Sequence, residues 1–188
     1  MKILPEYSLG IANGWIPLGL YFLGFMLSLL PYSKEARNWL FQNPVNRGRR
    51  ALLFLRRIGQ LSMVAYILMM ILTPLDFHSS AFLPGALIFF SGLILEISAL
   101  HYFRIAPLGQ PVVAGPYRVS RNPQWVGLFL ALLGSAVAAG VWLYIAMVLV
   151  VGVIYHIQIL DEEALCIEKF GDSFRSYMNR IPRYLLFF

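Results

Sequence analysis

The stretch VGLFLALLGSAVAAGVWLYIAMVLVVGVIYHIQIL, residues 126–160, contains no Asp, Glu, Lys or Arg. A membrane helix needs about 20 mostly apolar residues, so this stretch can hold two short ones. Two polar segments flank it: GPYRVSRNPQW at residues 115–125 and DEEALCIEKFGDSFRSYMNRIPRY at residues 161–184. If the stretch is a membrane hairpin, both polar segments return to the same face and can build one site.

The whole chain is strongly apolar. Hydrophobic residues make up 59% of it and charged residues only 13%, with a mean hydropathy of +0.69. Ordinary globular domains have roughly 25% charged residues. The composition therefore predicts an all-α, polytopic membrane helical bundle. We expect one membrane domain, with the first three spans in residues 1–103 and the loop, hairpin and C-terminal tail in 104–188. The single cysteine, Cys166, excludes an internal disulfide.

Four or five segments are apolar enough to be membrane helices. They are residues 9–32, 58–75, 82–102, 125–140 and 141–160, the last two being short. The first has only Lys2 beside Glu6 at its leading end and no small-residue cleavage site after it. It is therefore predicted to be a retained span and not a signal peptide.

Basic residues are distributed asymmetrically. All of the fifteen Lys and Arg residues except Lys2 fall in residues 34–57, 104–121 and 169–183. Cytoplasmic segments are enriched in Lys and Arg, so these three are predicted to be cytoplasmic and the N-terminus outside. The run RGRR at residues 47–50 fits the same rule or contact with anionic lipid. The net charge of +6 thus indicates a membrane and not a nucleic-acid partner.

Residues 104–124 are dense in helix-breaking residues, which predicts an irregular loop. Irregular backbone near a membrane is usually buried in protein or lines a wet cavity. The loop offers hydrogen-bond donors, acceptors and one aromatic ring through Tyr117, Arg118, Arg121, Asn122 and Gln124. On composition alone, a plain connecting loop stays open as the alternative.

Three adjacent carboxylates, Asp161, Glu162 and Glu163, follow the last predicted span. Successive helical residues point about 100° apart, so at most two of them can face the bundle. Glu162 or Glu163 could bind a cationic ligand or pair with Arg118 or Arg121. The alternative is that all three mark the water interface.

The tail after these carboxylates has its own helical pattern. The helix is predicted to continue through residues 164–170 and to end at a Gly171 cap. Residue 172 or 173 would then start a second amphipathic helix whose buried stripe is Phe174, Tyr177 and Met178.

Glu96 lies well inside the third predicted span. An ionisable residue within a membrane helix is a functional candidate by default. The rival role is a structural hydrogen bond to Gln60, Ser62 or another buried polar group. His101 lies about 140° from Glu96 around the helix, so the two need not meet.

Together the two polar segments resemble the membrane methyltransferases of the isoprenylcysteine carboxyl methyltransferase and phospholipid methyltransferase superfamily. That family pairs a GxYxxxRHPxYxG loop with a later EExxLxxxFGxxYxxYxxxxPR tail across a helical hairpin. Here the loop reads GPYRVSRNPQWVG at residues 115–127, and the tail reads EEALCIEKFGDSFRSYMNRIPR at residues 162–183. The resemblance covers the loop, hairpin and tail, but not the first two spans.

The resemblance implies S-adenosylmethionine as cofactor, held between loop and tail, and a lipid-like or apolar acceptor reached from the bilayer. It implies no metal and singles out no catalytic base. By position, the cofactor contacts would be Gln110, Val112, Val113, Tyr117, Arg121, Asn122, Pro123, Gln124, Trp125 and Glu162. Glu162 is the first choice for the cofactor's ammonium, because a carboxylate stabilises a cation in a low-dielectric site. The acceptor's head would meet Glu96, His101 or Gln158.

Three positions depart from the family pattern. Asn122 replaces the family's His and Trp125 its Tyr, but both still offer hydrogen-bonding groups. Gln158 stands where the prenylcysteine enzymes have a substrate-contacting Arg, which weakens the carboxyl-methylating interpretation. Two alternatives stay open: a membrane NADPH-dependent sterol or enone reductase, and a non-catalytic membrane protein.

Overall fold

The computed structural model describes residues 1–41, 50–107 and 109–185. In chain order the helices are α1 (Trp15–Leu29), α2 (Lys34–Leu40), α3 (Arg50–Ile71), α4 (Phe82–Ile105), α5 (Pro123–Ala139), α6 (Trp142–Phe170) and α7 (Asp172–Met178). A 3₁₀ turn at Gly115–Arg118 lies in the loop between α4 and α5. The predicted all-α membrane bundle is confirmed. The basic run at residues 47–50 lies outside the described residues, apart from the backbone of Arg50.

Three of the described helices are long and apolar enough to cross a membrane: α3 from Phe54 onward, α4 and α6. Helices α1 and α5 are apolar but shorter, with 15 and 17 residues. The hydropathy pattern predicts four or five membrane spans. Among the described residues, three long apolar helices and two shorter apolar helices correspond to them.

Residues 1–14 precede the first helix, so the predicted start of the first span at residue 9 is wrong. The Lys2 amide donates to the Gly140 carbonyl at 2.7 Å, which ties the N-terminal segment to the turn between α5 and α6. The Asn13 side chain donates to the Ser8 carbonyl at 2.6 Å. Pro5, Gly10 and Gly14 have low helix propensity, and their density outweighs the apolar residues between them.

Helix α2 is a short element that the hydropathy pattern does not predict. The Ser33 side chain caps it by accepting a hydrogen bond from the Ala36 amide at 3.1 Å, a role that serine favours. The Tyr32 hydroxyl donates to the Leu100 carbonyl at 2.6 Å. This bond anchors α2 beside the end of α4, next to the loop.

Helices α4 and α5 pack antiparallel with glycine at their contact. Gly85 lies against the backbone of Ala138, and Gly127 lies against Glu96. A Cβ added at Gly127 would come within 2.7 Å of the Cβ of Glu96. Small residues let membrane helices approach closely. The close approach brings Glu96 against the first turns of α5.

The hairpin and the tail follow the predicted course. Gly140 ends α5 with φ 69°, a left-handed conformation that suits glycine. Helix α6 is 29 residues long and continues to Phe170, where Gly171 with φ 57° ends it. Helix α7 follows, with Phe174 and Tyr177 buried. The ends of α4 and α6 and the start of α5 therefore meet at one end of the bundle.

Candidate active site

Glu163 joins the loop to the C-terminal tail. Its side chain is 5% exposed and accepts charge-assisted hydrogen bonds from Arg121 Nε and Arg183 Nη2, each at 3.0 Å. Asn122 Nδ2 donates to the same carboxylate at 2.9 Å. The Arg121 guanidinium also donates to two tail carbonyls, at 2.8 and 2.9 Å. We call Arg121, Glu163 and Arg183 the clasp.

Uncharged groups extend this contact between loop and tail. The Tyr177 hydroxyl donates to the Tyr117 carbonyl at 2.6 Å, and Ser120 Oγ donates to the Arg183 carbonyl at 2.9 Å. Gln124 Nε2 donates to the Tyr117 hydroxyl at 3.0 Å. Burial raises the pKa of both Tyr117 and Tyr177 above the usual phenol value, so both stay protonated near neutral pH. Loop and tail therefore form one connected unit.

A cavity of about 130 Å³, here called the loop–tail cavity, lies inside this unit and against α2, α4 and α6. Its wall is largely aromatic. The rings come from Trp39, Phe103, Tyr117, Trp125, Phe170, Phe174 and Tyr177. The carboxylates of Glu162 and Glu163 border the same space.

Helix α2 closes one side of the loop–tail cavity through Trp39. The ring of Trp39 lies 4.6 Å from that of Phe103 and 6.2 Å from that of Phe170. The Lys169 ammonium lies 5.0 Å from the centroid of the same indole, within cation–π range. These contacts hold α2 against both α4 and α6.

A second cavity, of about 300 Å³, lies between α1, α4, α5 and α6, and we call it the interhelical cavity. Most of its wall is apolar, with Phe25, Leu100 and Leu128 among the residues that line it. Leu40 of α2 and the adjacent Phe41 also line it, and its polar groups come from α1, α4, α5 and α6. They are Tyr21, Glu96, Gln124, Trp125, Gln158 and Glu162.

Gln124, Trp125 and Glu162 border both cavities, so the two spaces meet at these side chains. Trp125 Nε1 donates to one oxygen of Glu162 at 2.9 Å, and Gln158 Nε2 donates to the other at 3.0 Å. The Tyr155 ring packs 5.0 Å from that of Trp125. The carboxylate is held in a fixed orientation, and each of its oxygens keeps capacity for another donor.

Glu96 faces the interhelical cavity and is buried, with 5% exposure. Its partner is Tyr21 on α1, whose hydroxyl donates to Oε1 at 2.7 Å. The predicted structural hydrogen bond is therefore made by another polar group and not by Gln60 or Ser62. The Oε2 atom is buried and has no hydrogen-bond partner among the described residues.

Most of the residues singled out from the sequence line one of the two cavities. The loop–tail cavity is lined by Val112, Tyr117, Arg121, Asn122, Pro123, Gln124, Trp125 and Glu162. Glu96 and Gln158 line the interhelical cavity. Gln110, Val113 and His101 are exposed and line neither space. Arg121, and not Arg118, pairs with Glu163.

Sequence reasoning missed Tyr21 and Trp39, which lie in segments without a motif. It included Arg183 only as the last letter of the tail pattern, without its ion pair to Glu163. The spacing of the tail pattern could point to Arg183, whereas only packing brings Tyr21 and Trp39 to the cavities.

These features define an integral membrane protein with a polar site at one end of its helices. Residues 81–173 match the family model described as phospholipid methyltransferase, about half of the 188 residues. The chain therefore belongs to the superfamily of membrane methyltransferases that its polar segments resemble. Comparisons with curated proteins and with solved structures found no match.

The matched segment differs in extent from the resemblance seen in the motifs. It begins just before α4 and so includes Glu96, which the two motifs leave out. It ends at residue 173, before Tyr177 and Arg183. Tyr21 and Trp39 also lie outside it and belong to neither motif, whereas Tyr177 and Arg183 are positions of the tail pattern.

Proposed function

We propose that this protein transfers a methyl group from S-adenosylmethionine to a small apolar or lipid-like acceptor that reaches it from the bilayer. Membership of a membrane methyltransferase family supports the type of reaction. The observation that carries the proposal is the position of Glu162, which borders both cavities. A methyl donor in the loop–tail cavity and an acceptor in the interhelical cavity would meet beside this carboxylate.

The loop–tail cavity has the chemistry that a cationic cofactor needs. S-adenosylmethionine supplies an electrophilic methyl group on a sulfonium and also carries an ammonium. Cations are attracted to aromatic faces within about 6 Å, and the wall of this cavity is largely aromatic. Glu163 is committed to the clasp, which leaves Glu162 as the carboxylate with remaining acceptor capacity.

The departures from the family pattern are compatible with this role. Asn122 donates to Glu163 and Trp125 donates to Glu162, so each aligns a carboxylate at the site. Aligning a carboxylate requires an N–H donor, which both side chains have. Neither position needs the titrating group of a histidine for this purpose.

The described side chains would contribute mainly by positioning the reactants. Well-oriented intramolecular reactions gain about 7–11 kcal/mol in barrier height from proximity. Trp125 and Gln158 hold the Glu162 carboxylate, while Trp39 and the tail rings cover the loop–tail cavity. The asymmetric basic residues further favour a cytoplasmic location for loop and tail, with the N-terminus outside.

The test is calorimetric titration of the detergent-purified protein with S-adenosylmethionine, S-adenosylhomocysteine and NADPH. We compare the wild type with Glu162→Gln and, as matched control, with Asp161→Asn. Asp161 adjoins Glu162 on α6 but pairs with Arg56 at 2.7 Å and lines neither cavity. Losing a charged hydrogen bond costs about 1.5–3 kcal/mol, so Glu162→Gln should weaken S-adenosylmethionine binding roughly 10- to 100-fold.

The expected result is binding of both sulfur-containing ligands by the wild type and by Asp161→Asn, with loss in Glu162→Gln. Unchanged affinity in Glu162→Gln would remove Glu162 from the site. Binding of NADPH alone by folded protein would overturn the proposal in favour of a reductase.

A further inference from the structure

We infer that Trp39 of α2 contacts the purine ring of the methyl donor, and that α2 is a lid that moves to admit this ring to the loop–tail cavity. The inference rests on the proposed function and deepens it. It assigns the base end of the donor to a residue that lies outside both motifs and outside the family match. Its basis is the shape and size of the loop–tail cavity.

The loop–tail cavity has a charged end and an aromatic end. It follows one face of α6, where Glu162, Cys166 and Phe170 line it at intervals of four residues. At 1.5 Å of rise per residue, Glu162 and Phe170 lie about 12 Å apart along the helix axis. Glu162 and Glu163 border the charged end, and Trp39 packs 6.2 Å from the Phe170 ring at the other.

The methyl donor has two ends that match this division. The proposed function places its cationic sulfonium and ammonium beside Glu162. Its purine ring is planar and uncharged, and such rings stack favourably on aromatic side chains. With the cationic groups at Glu162, an extended donor directs its base towards Phe170 and Trp39. The aromatic end of the cavity is therefore the place for the base.

The cavity is too small for the whole donor with α2 in its present position. Its volume is about 130 Å³, whereas pockets for drug-sized ligands have about 300–1,000 Å³. S-adenosylmethionine is a ligand of that size class. One wall of the cavity must therefore move when the donor binds.

Three of the four walls are firmly fixed. The loop and the tail are crosslinked by the clasp. Helix α4 packs against α5 through glycines that leave no space between the backbones. Helix α6 is continuous through Phe170. The wall that remains is α2.

Helix α2 has the attachments of a lid that turns about one end. It is seven residues long, and the Tyr32 hydroxyl just before it donates to the Leu100 carbonyl of α4 at 2.6 Å. Near its other end, the Trp39 indole lies 4.6 Å from the Phe103 ring and 5.0 Å from the Lys169 ammonium. Ring contacts can be exchanged for contacts with a purine, so rotation about the Tyr32 end would open a slot between Trp39 and Phe103.

The same lid borders the second cavity. Leu40 and Phe41, which follow Trp39, line the interhelical cavity. Closure of α2 over a bound donor would thus also complete the wall around the acceptor. Lids of this kind exclude water and commit the reactants to the reaction.

The experiment measures binding of adenosine and S-adenosylhomocysteine by calorimetry, with the full-length protein in detergent. Trp39→Leu removes the aromatic face but keeps an apolar side chain, and Trp39→Phe restores a ring. Trp142→Leu is the matched control, because Trp142 is 54% exposed at the start of α6 and lines neither cavity. Glu162→Gln tests the opposite end of the donor.

We expect Trp39→Leu to weaken both ligands by the same factor, about 5- to 150-fold, since both carry the base. Trp39→Phe should recover most of this loss. Glu162→Gln should weaken S-adenosylhomocysteine but leave adenosine unchanged, because adenosine has no ammonium group. Trp142→Leu should bind both ligands like the wild type.

Movement of the lid is measured through Cys166, the single cysteine, which lines the loop–tail cavity. Its alkylation by N-ethylmaleimide reports how often the cavity opens. S-adenosylhomocysteine should slow alkylation of the wild type, and Trp39→Leu without ligand should be alkylated faster than Trp142→Leu. Equal rates in these two variants would overturn the lid.

The binding data can refute the contact with the base independently. Unchanged affinity of Trp39→Leu for both ligands would do so, as would a loss for S-adenosylhomocysteine without a loss for adenosine. If Trp39→Leu does not fold, Trp39→Phe decides, with an expected loss of about two- to fivefold for both ligands. Each of these failures leaves the proposed function standing as long as the wild type binds S-adenosylhomocysteine. If the folded wild type binds no S-adenosyl ligand, the proposed function fails and the inference fails with it.

Discussion

Two buried carboxyl groups in this protein, Glu163 in the clasp and Glu96 in the interhelical cavity, have nearly the same exposure, 4% and 5%. Glu163 receives hydrogen bonds on both oxygens from Arg121, Asn122 and Arg183. From the described residues, Glu96 receives one, donated by Tyr21 to one of its two oxygens. The comparison teaches that burial alone does not assign a role to a carboxylate. The number and charge of its partners distinguish a structural crosslink from a candidate for ligand binding.

The two carboxyl groups differ energetically in how many hydrogen-bond and ion-pair partners a substitution would remove. A buried charge that is fully paired becomes costly as soon as one partner is removed. A carboxyl oxygen without a protein partner has no such contact to lose and can gain one from a ligand. Substitutions at the two sites should therefore separate stability from ligand binding.

The largest expected effect is on the clasp. Glu163→Ala leaves two arginines without their carboxylate, and Arg121 is only 4% exposed. Breaking such a buried pair typically costs about 3–5 kcal/mol in the free energy of unfolding. The measurement is unfolding in mixed micelles followed by tryptophan fluorescence. Asp161→Ala is the control, since its partly exposed pair with Arg56 should contribute at most about 1 kcal/mol. A loss of similar size in both variants would contradict the special role of the clasp.

The next largest effect is expected at the contact between α4 and α5. A Cβ at Gly134 would clash with the backbone of Phe89, and that backbone cannot move without shifting α4. Overpacking of this kind costs about 1–3 kcal/mol, so Gly134→Ala should destabilise the protein in the same unfolding assay. Gly19→Ala in α1 is the matched control, because the nearest atom to its Cβ would be 3.9 Å away. Equal stability of the two variants would show that close helix approach is not required.

A smaller loss is expected for Tyr177→Phe. The Tyr177 hydroxyl donates to the Tyr117 carbonyl, and burial keeps this phenol protonated by raising its pKa. Losing this hydrogen bond should cost about 1 kcal/mol in the free energy of unfolding. Because the bond links tail to loop, S-adenosylmethionine binding should weaken as well. Calorimetry and unfolding on the same preparation check both effects, and unchanged values for both would refute this link.

The smallest effect on stability is expected for Glu96→Gln. The bond from Tyr21 to Oε1 is kept, and Oε2 has no partner to lose within the part of the chain that the structure describes. The free energy of unfolding should change by less than about 0.5 kcal/mol. A loss as large as that of Glu163→Ala would mean that Glu96 is structural, and it would remove the contrast between the two carboxylates.

Much of the fold could be predicted from the sequence, because a membrane helix needs about 20 mostly apolar residues and such a run is visible in the sequence itself. The hairpin turn at Gly140 and the helix end at Gly171 were also readable, since glycine has distinctive backbone freedom. Two predictions failed, the start of the first helix and the absence of a helix at α2, because hydropathy is a poor guide in both segments. Residues before Trp15 are apolar but rich in glycine and proline, and α2 is too short and too polar for a hydropathy pattern.

The site was predictable to the extent that it lies in the two motifs. Tyr117, Asn122, Trp125 and Glu162 do line one cavity. The roles of Glu162 and Glu163 could not be divided from sequence, because adjacent helical residues differ only in direction. Tyr21 was out of reach for a different reason: its partner Glu96 is 75 positions away along the chain.

The sequence by itself determined that the chain is a helical membrane protein of a methyltransferase superfamily, since hydropathy and motif spacing are properties of the chain as written. Only the tertiary structure decided that Glu163 pairs with the arginines of loop and tail, that Glu162 borders both cavities, and that Glu96 Oε2 has no hydrogen-bond partner among the described residues. Those differences depend on distances between side chains from separate helices. Packing sets such distances, and in α4 and α5 it does so through glycines that let Glu96 approach the junction.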